Sequence, residues 1–304
     1  MGKALAERFP AAKRAFDEAD IAFANGDPSG RRLSTICWEG PEQELQLTEI
    51  TQPAILAMSV AAYRVLADHG IRPAFVAGHS LGEYSAHVAA GTFAFADAIG
   101  LIRRRGRYMQ EAVPVGTGAM AAIVGADLAL VSQACEEAAQ GEVVSPANIN
   151  SPGQIAIAGH AAAVQRASER AKALGARRAI PLVVSAPFHC ALMKPAEQRL
   201  EPELRALQTT SPTVPVVANV DAEPKRDGPS SVDALVRQVS APVRWEDVVR
   251  RLASEGVTTY VEVGPGNVLS GLVKRIQPDA DVMTFGSPEN LDAIVAACSI
   301  SAEK

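Results

Sequence analysis

A serine lies between two glycines where residues 78–82 read Gly-His-Ser-Leu-Gly, and the sequence changes there from a short apolar run to a helical pattern. Residues 74–77 predict a buried strand, and residues 83–90 predict a helix that ends at Gly91. A Gly-x-Ser-x-Gly motif between strand and helix is typical of a nucleophile elbow, which holds its serine exposed and strained. Side chains at either glycine are expected to collide in so tight a turn. The motif therefore predicts an α/β protein with Ser80 as its nucleophile.

The same turn predicts a stabilising group for negative charge. Leu81 begins the helix, so its backbone N–H lies at the positive end of the helix dipole and points towards an oxyanion forming beside Ser80. An ordinary strand–turn–helix with an incidental serine is the alternative, and the complete strand, turn and helix context disfavours it. The segment is thus the first candidate for a catalytic site.

Composition limits the remaining function classes. The 304 residues are 48% hydrophobic and 21% charged, with a formal net charge of −5. No apolar run reaches the roughly 20 residues that a membrane span needs, and the charged start is unlike a secretory signal. The negative charge argues against a nucleic-acid surface, although Arg103, Arg104, Arg105 and Arg107 form a local basic patch. We therefore expect a soluble protein with neither nucleic-acid nor membrane partners.

The cysteines predict a cytoplasmic protein without a metal site. Cys37, Cys135, Cys190 and Cys298 are scattered, with no Cys-x-x-Cys pair and no nearby histidine cluster. This spacing matches neither a zinc site nor a disulfide framework, so reduced thiols are expected.

The order of predicted elements indicates one domain inserted into another. Alternating helices and strands on both sides predict an α/β-hydrolase-like core with a parallel sheet, formed by residues 1–115 and 187–304. Residues 116–186 predict strand, helix, two strands, helix and strand, which is the βαββαβ pattern of a ferredoxin-like subdomain. Within the core, Pro53 is expected in the first turn of a helix, and residues 221–231 are expected to form an exposed loop.

Of the five histidines, His189 is the best candidate for the base that a serine nucleophile requires. It follows Pro187 just beyond the predicted insert, where the chain returns to the catalytic core. His79 is too constrained to reach its neighbour's hydroxyl, and His69, His87 and His160 lie at other element positions. The alternative for His189 is a histidine satisfied by local hydrogen bonds. No acidic residue stands out as a third triad member, and a backbone carbonyl can orient the imidazole instead.

Six segments together resemble one family, the malonyl-CoA:acyl carrier protein transacylases of bacterial fatty-acid synthesis. The resemblance runs in register over nearly the whole chain. The matching segments are Gly78-His79-Ser80-Leu81-Gly82-Glu83-Tyr84-Ser85, Arg105-Gly106 with Met109-Gln110, Asn148-Ile149-Asn150-Ser151-Pro152-Gly153-Gln154, Phe188-His189, Val243-Arg244-Trp245 and Glu262-Val263-Gly264-Pro265-Gly266.

The resemblance implies an enzyme that moves a malonyl group from malonyl-CoA to holo acyl carrier protein without a cofactor or metal, and for which a monomer suffices. Ser80 would carry the malonyl ester, and His189 would act as base and then acid. Gln238 would orient His189 through its backbone carbonyl, and Arg105 would bind the malonyl carboxylate, since a guanidinium pairs with a carboxylate in bidentate fashion. The alternative for Arg105 is a solvated basic helix face. Arg103, Arg104 and Arg107 are expected on such a face or against CoA phosphates and the acidic carrier.

Phe188 bears on substrate choice within that resemblance. Relatives that accept methylmalonyl units tend to have a small residue at this position, and a phenylalanine ring would crowd a branch at the α-carbon. One methyl group gives only about 1 to 3 kcal/mol of discrimination, so we expect a preference for malonyl rather than absolute selectivity.

The beginning of the sequence departs from the family pattern. Relatives usually begin with a strand and Gly-Gln-Gly-Ser-Gln, in which a glutamine N–H is the second oxyanion donor, whereas this sequence begins in the next predicted helix, residues 2–9. A start assigned at an internal methionine and a true truncation are the two expectations. Two further functions therefore stay open beside transfer: a serine esterase or thioesterase, and an inactive carrier-binding remnant.

Overall fold

The computed structural model describes residues 1–25, 30–114 and 116–301, with side chains up to residue 298. Val115, at the predicted boundary between core and insert, lies outside the described residues. The α-helices are α1 Lys3–Arg8, α2 Pro10–Ala24, α3 Leu33–Glu39, α4 Glu42–Leu45, α5 Thr48–Asp68, α6 Leu81–Ala89, α7 Phe95–Glu111, α8 Leu128–Ala139, α9 Ala161–Ala173, α10 Lys194–Ala206, α11 Gly228–Gln238, α12 Trp245–Ser254, α13 Val268–Ile276 and α14 Leu291–Ser301. The strands are β1 Val76–Ala77, β2 Gly118–Val124, β3 Val144–Ser151, β4 Gln154–His160, β5 Arg178–Pro181, β6 Val216–Val217, β7 Pro224–Lys225, β8 Thr259–Val263 and β9 Asp281–Phe285.

Helix α5 is the centre of the larger region. It is long and apolar enough to cross a membrane by length and composition, but 72% of its most apolar window is buried inside the protein. Helices α2 and α7 pack on it, and Leu56, Ala57 and Ala61 are fully buried in that core. The prediction for Pro53 was wrong in detail, because α5 begins at Thr48 and the proline lies inside the helix. Because Pro53 has no N–H, the i→i−4 hydrogen bond to the carbonyl of Glu49 is missing at this position.

The larger region, outside the predicted insert, is called the catalytic region below. Its strands form two small sheets rather than the single parallel sheet that the sequence predicts. Strand β1 pairs in parallel with β6, which pairs antiparallel with β7. Strands β8 and β9 form a separate parallel pair. Strand β1 has only two residues because Gly78 immediately begins the elbow, and among the described residues no strand joins it to β8. The architecture is therefore mixed α/β, with helices supplying most of the core.

Residues 118–181, called the insert below, form a separate layer. Strands β2 to β5 make an antiparallel sheet in the order β3-β4-β2-β5, and α8 and α9 pack on one face of it. Ile123, Ile155 and Ile157 are buried at the centre of this layer. The final strand, β5, ends at Pro181, and residues 182–184, whose side chains are exposed, lead the chain back towards the catalytic region.

Main-chain hydrogen bonds join the insert to the catalytic region. Val243 N–H donates to the carbonyl of Ala147, and Ile149 N–H donates to the carbonyl of Val243, both at 2.9 Å. The junction thus lies five residues beyond Gln238. The predicted loop over residues 221–231 was wrong, since it contains β7 and the start of α11, which Asp227 caps by accepting a hydrogen bond from Ser230 N–H.

Candidate active site

Ser80 occupies the strained turn that its motif predicts. Its φ of 52° and ψ of −107° lie outside the regions that non-glycine residues favour. A Cβ at Gly78 would lie 2.1 Å from the carbonyl carbon and oxygen of Gly82, so glycine is required at that position. The expected collision at Gly82 was wrong, because a Cβ there meets nothing within 4 Å. The crossing of strand and helix thus depends on only one of the two glycines.

His189 lies directly against Ser80, although 109 residues separate them in sequence. Its Nε2 is 2.7 Å from Ser80 Oγ, and its Nδ1 is 3.0 Å from the backbone carbonyl oxygen of Gln238. An N–H on Nδ1 donates to that carbonyl, which leaves Nε2 to accept the serine proton. His189 also has a positive φ, of 60°, so both members of the pair are held in unusual backbone conformations.

The imidazole of His189 is kept neutral. Burial, followed by the positive charge of Arg105, lowers the pKa of His189 to about 3, despite the opposing hydrogen bond to Gln238. Only 3% of the residue is exposed. The arrangement favours a base that is unprotonated in the resting protein and becomes charged only when it takes the proton of Ser80.

Arg105 brings a buried positive charge to the same place. The residue is 1% exposed, and its Nη2 donates to Ser80 Oγ at 3.3 Å and to Gln238 Oε1 at 3.0 Å. Its Nη1 donates to Gln52 Oε1 at 2.6 Å, and its Nε has no partner within the described residues. Burial lowers the pKa of Arg105 from its ordinary value. The guanidinium is therefore held by neutral amides, without a carboxylate bound to it among the described residues.

Comparisons with known proteins agree with this geometry. A family model described as an acyl transferase domain matches residues 1–287. The chain is 51% identical over 297 residues to the malonyl CoA-acyl carrier protein transacylase of Escherichia coli K12, covering 97% of this chain and 93% of that protein. It is 46% identical over 296 residues to the Bacillus subtilis 168 protein of the same name, covering 97% and 92%. The chain belongs to the malonyl-CoA:acyl carrier protein transacylase family.

Solved structures of members of this transacylase family have the same fold. An acyl carrier protein S-malonyltransferase from Vibrio cholerae matches with a TM-score of 0.93 at 47% identity, covering 97% of this chain and 94% of that one. A malonyl-transacylase in complex with its type II PKS acyl-carrier protein matches with a TM-score of 0.93 at 46% identity, covering 98% and 94%. Both likenesses extend over the catalytic region and the insert.

The outer arginines of α7 differ from Arg105. Arg104 forms an ion pair with Glu203, and Arg103 lies over the ring of Phe23 at 4.3 Å. Arg107 lies 5.8 Å from the centre of the Tyr108 ring. Among the arginines of this transacylase helix, the structure brings Arg105 alone to Ser80.

Leu81 and Phe188 are the sequence neighbours of Ser80 and His189. Leu81 is the first residue of α6, so its N–H has no partner within the helix and remains at the positive helix end. Phe188 is partly buried and packs both on the main core and on a small cluster that contains Met120 and Ala147 of the insert. The ring therefore closes the seam between the two regions just before His189.

The remaining histidines have other partners. His79 Nε2 lies 2.9 Å from Asn150 Oδ1 of the insert, and His87 Nδ1 lies 3.1 Å from Thr92 Oγ1. His69 contacts the carbonyl of Val65 at the end of α5, and His160 Nδ1 accepts a hydrogen bond from Val143 N–H. Among the described residues, no group of three or more His, Cys, Asp or Glu is arranged to hold a metal ion.

Sequence reasoning missed Gln52, Glu83 and Asn219 as parts of the site. Asn219 accepts a hydrogen bond from Ser80 N–H at 2.7 Å and donates one to the carbonyl of Gly78 at 2.7 Å. The signal for Asn219 is its position two residues beyond β6, where a polar side chain follows an apolar strand beside the elbow. Gln238 was predicted for its carbonyl only, yet its side chain also contacts Ser80 and Arg105.

Proposed function

We propose that the chain transfers a malonyl group from malonyl-CoA to the phosphopantetheine thiol of holo acyl carrier protein, through a malonyl ester on Ser80, and so supplies extender units for fatty-acid synthesis. The observation that carries the proposal is the 2.7 Å contact between Ser80 Oγ and His189 Nε2 with the Arg105 guanidinium beside it. Nucleophile, base and cation thus converge on one point, from elements far apart in sequence.

The first half-reaction forms the ester. His189 Nε2 takes the proton of Ser80 while Oγ attacks the thioester carbonyl, and the N–H of Leu81 stabilises the oxyanion. The C–S bond then breaks, and the CoA sulfur leaves with the proton that the imidazolium returns. In the second half-reaction His189 takes the proton of the carrier thiol, whose sulfur attacks the ester, and Ser80 regains its proton when the C–O bond breaks. The carbonyl of Gln238 keeps the imidazole in the required tautomer throughout.

Arg105 supplies the preference for a diacid thioester. Among the described residues the buried guanidinium is held by amide and hydroxyl oxygens without a carboxylate in direct contact, and the malonyl carboxylate can bind it with bidentate geometry. Acetyl-CoA has no group to make this pair. The anchored carboxylate also holds the acyl group in a site shielded from water, which favours transfer to a thiol over hydrolysis. Phe188 is proposed to narrow the space available to a branch at the α-carbon.

The finer organisation is part of the same proposal. Residues 1–115 and 187–304 form an α/β-hydrolase-like catalytic subdomain, and residues 116–186 form a ferredoxin-like subdomain. The strand order β3-β4-β2-β5 and the helices α8 and α9 support the second assignment. The proposed location is the cytoplasm, and a monomer suffices for the reaction because every protein group that the mechanism uses belongs to one chain.

Intact-protein mass spectrometry with malonyl-CoA, followed by addition of holo acyl carrier protein, tests the proposal. The expected result is a malonyl adduct that maps to Ser80 and then moves to the carrier. Ser80→Ala should form no adduct, whereas Ser85→Ala, five residues further along in α6, should acylate normally. Release of free malonate instead of malonyl carrier would identify a thioesterase, and the absence of any adduct on the folded protein would identify an inactive carrier-binding remnant.

A further inference from the structure

A buried carboxyl group lies directly beneath the elbow. Glu83 is in the first turn of α6 and is 0% exposed. Among the described residues, neither a lysine nor an arginine forms an ion pair with it, and its Oε1 has no hydrogen-bond partner. A buried carboxyl without a cationic partner is costly, so its retention calls for a physical explanation.

The other carboxyl oxygen binds two parts of the site at once. Glu83 Oε2 accepts a hydrogen bond from the backbone N–H of Asn219 at 3.0 Å and another from Gln238 Nε2 at 2.7 Å. Asn219 follows β6, and Gln238 ends α11, so a single oxygen links three separate elements.

The first link reaches the nucleophile. With its own N–H held by Glu83, Asn219 directs Oδ1 to Ser80 N–H and Nδ2 to the carbonyl of Gly78, each at 2.7 Å. The Asn219 side chain therefore holds the peptide groups on both sides of His79 in place. Since Ser80 has a strained φ, these bonds help to keep it in that conformation.

The second link reaches the cation. Gln238 Nε2 donates to Glu83 Oε2 and to the carbonyl of Ser80, while Gln238 Oε1 accepts from Arg105 Nη2. Glu83 can only accept at Oε2, and Arg105 can only donate, so the amide has one satisfied orientation. A flipped amide would place its NH₂ group against the guanidinium and its oxygen against the carboxyl oxygen.

We infer that Glu83 is a positioning residue, whose Oε2 fixes Asn219 under Ser80 and orients Gln238 so that Arg105 is presented to the malonyl carboxylate. The inference rests on the proposed malonyl transfer. Glu83 contacts none of the reacting atoms itself and acts through the side chains of Asn219 and Gln238.

The chemistry of the carboxyl group fits this role in either protonation state. Burial raises the pKa of Glu83 to about 7, while hydrogen bonds from Gln238 and Asn219 and the charge of Arg105 oppose the rise and Asp221 adds to it. A proton would occupy the unpartnered Oε1 and leave Oε2 free to accept both hydrogen bonds. The accepting oxygen, more than the charge, is therefore the part that positions the site, and a glutamine can imitate it.

Two substitutions of similar size separate these features. Glu83→Gln keeps an oxygen at the Oε2 position, and Glu83→Leu removes it. The matched control is Glu203→Leu, because Glu203 also accepts hydrogen bonds from two side chains, those of Arg104 and Tyr108, at a distance from the elbow. Rates of Ser80 acylation are measured by rapid quench with malonyl-CoA and with acetyl-CoA.

We expect Glu83→Leu to lose about 10²-fold in malonyl acylation, the cost typical of a small misplacement, and to lose most of its preference for malonyl over acetyl. Glu83→Gln and Glu203→Leu should keep both the rate and the preference. If a folded Glu83→Leu protein kept them too, Glu83 would have no positioning role. A wild-type protein that forms no malonyl-Ser80 would instead overturn the proposed function.

Circular dichroism and thermal melting establish whether each variant is folded. If Glu83→Leu does not fold, Glu83→Asp gives the same test, since it keeps the charge but withdraws the oxygen by one methylene. The inference then requires Glu83→Asp to lose malonyl preference while Glu83→Gln retains it. Equal preference in these two variants would contradict it.

Discussion

The site beneath the elbow and the core of the insert bury opposite kinds of side chain. Close to Ser80 the buried side chains are polar or charged, namely Gln52, Glu83, Arg105, His189, Asn219 and Gln238. In the insert core they are Ile, Val, Ala and Cys, including Ile123, Val131, Cys135, Ile155, Ile157 and Val164. Burying polar groups lowers stability unless each is bonded, whereas apolar burial raises it. The difference indicates that the insert contributes stability, while the site has been arranged for chemistry at a cost in stability.

The largest effect expected from this comparison is on the rate of Ser80 acylation, in a variant of His189. His189→Ala removes the base and should lower Ser80 acylation by on the order of 10⁴-fold, because the serine then has no proton acceptor. The rates are compared on the folded fraction, because the substitution also leaves the Gln238 carbonyl without its partner and opens a cavity. The control is His160→Ala in the insert, where the histidine accepts a hydrogen bond from Val143 N–H. Equal loss of rate in both variants would erase the distinction between the regions.

Next in size is the effect of the buried cation. Arg105→Met keeps the length of the side chain without its charge and should lower malonyl acylation by about 10² to 10³-fold, with acetyl acylation nearly unchanged. Arg104→Met on the outer side of α7 loses only a half-exposed ion pair with Glu203 and should leave selectivity intact. Competition between malonyl-CoA and acetyl-CoA measures both. An Arg105→Met protein that still prefers malonyl would remove Arg105 from substrate selection.

In the insert the expected effect is on stability instead. Ile157 is fully buried in the sheet, and Ile157→Ala should lower the free energy of unfolding by about 2 to 5 kcal/mol through lost burial and a cavity. Urea denaturation measures the loss, and malonyl transfer at 25 °C by the folded fraction should match wild type. A large fall in turnover without loss of stability would show that the insert takes part in the chemistry.

The smallest expected effect concerns His87, a buried polar group without contact to the reacting pair. Burial lowers the pKa of His87 from its ordinary value of 6.5 to about 3. Below pH 6.5 the unfolded chain binds a proton at this histidine that the folded one does not. The free energy of unfolding therefore decreases as the pH is lowered, by about 1.4 kcal/mol per pH unit for this group. His87→Gln should therefore lose less stability than wild type between pH 6.5 and 5. If the free energy of unfolding fell equally in the two proteins over this pH range, the lowered pKa of His87 would be contradicted. The rate of Ser80 acylation at pH 8 should be the same in both proteins.

The features that the sequence predicted well are local ones. The elbow depends on neighbouring residues within 78–82. The order of strands and helices in the insert is readable because the periodicity of apolar residues within each element is local. The contact of His189 with Ser80, across 109 residues, is the exception, and it was predicted because a serine nucleophile needs a base, a chemical requirement that few residues here could meet.

The features that it missed depend on distant pairing. Glu83 meets Asn219 and Gln238 across more than 130 residues. The polar position of Asn219 just beyond β6 marks it as a site candidate, but no local pattern shows which side chains it contacts. The separation of the strands into two sheets is likewise a matter of which edges meet in space. Periodicity gives the position of a strand, but its partner is decided by the packing of helices such as α5 and α7.

The junction at Val243 has a consequence for divergence among relatives. Peptide groups alone make its two hydrogen bonds, so this part of the attachment does not depend on which side chains flank it. Sequence drift along this seam can therefore change the side chains between the two regions while the spacing to Gln238 stays constant. The position of the Gln238 carbonyl against His189 is thereby preserved as the seam diversifies.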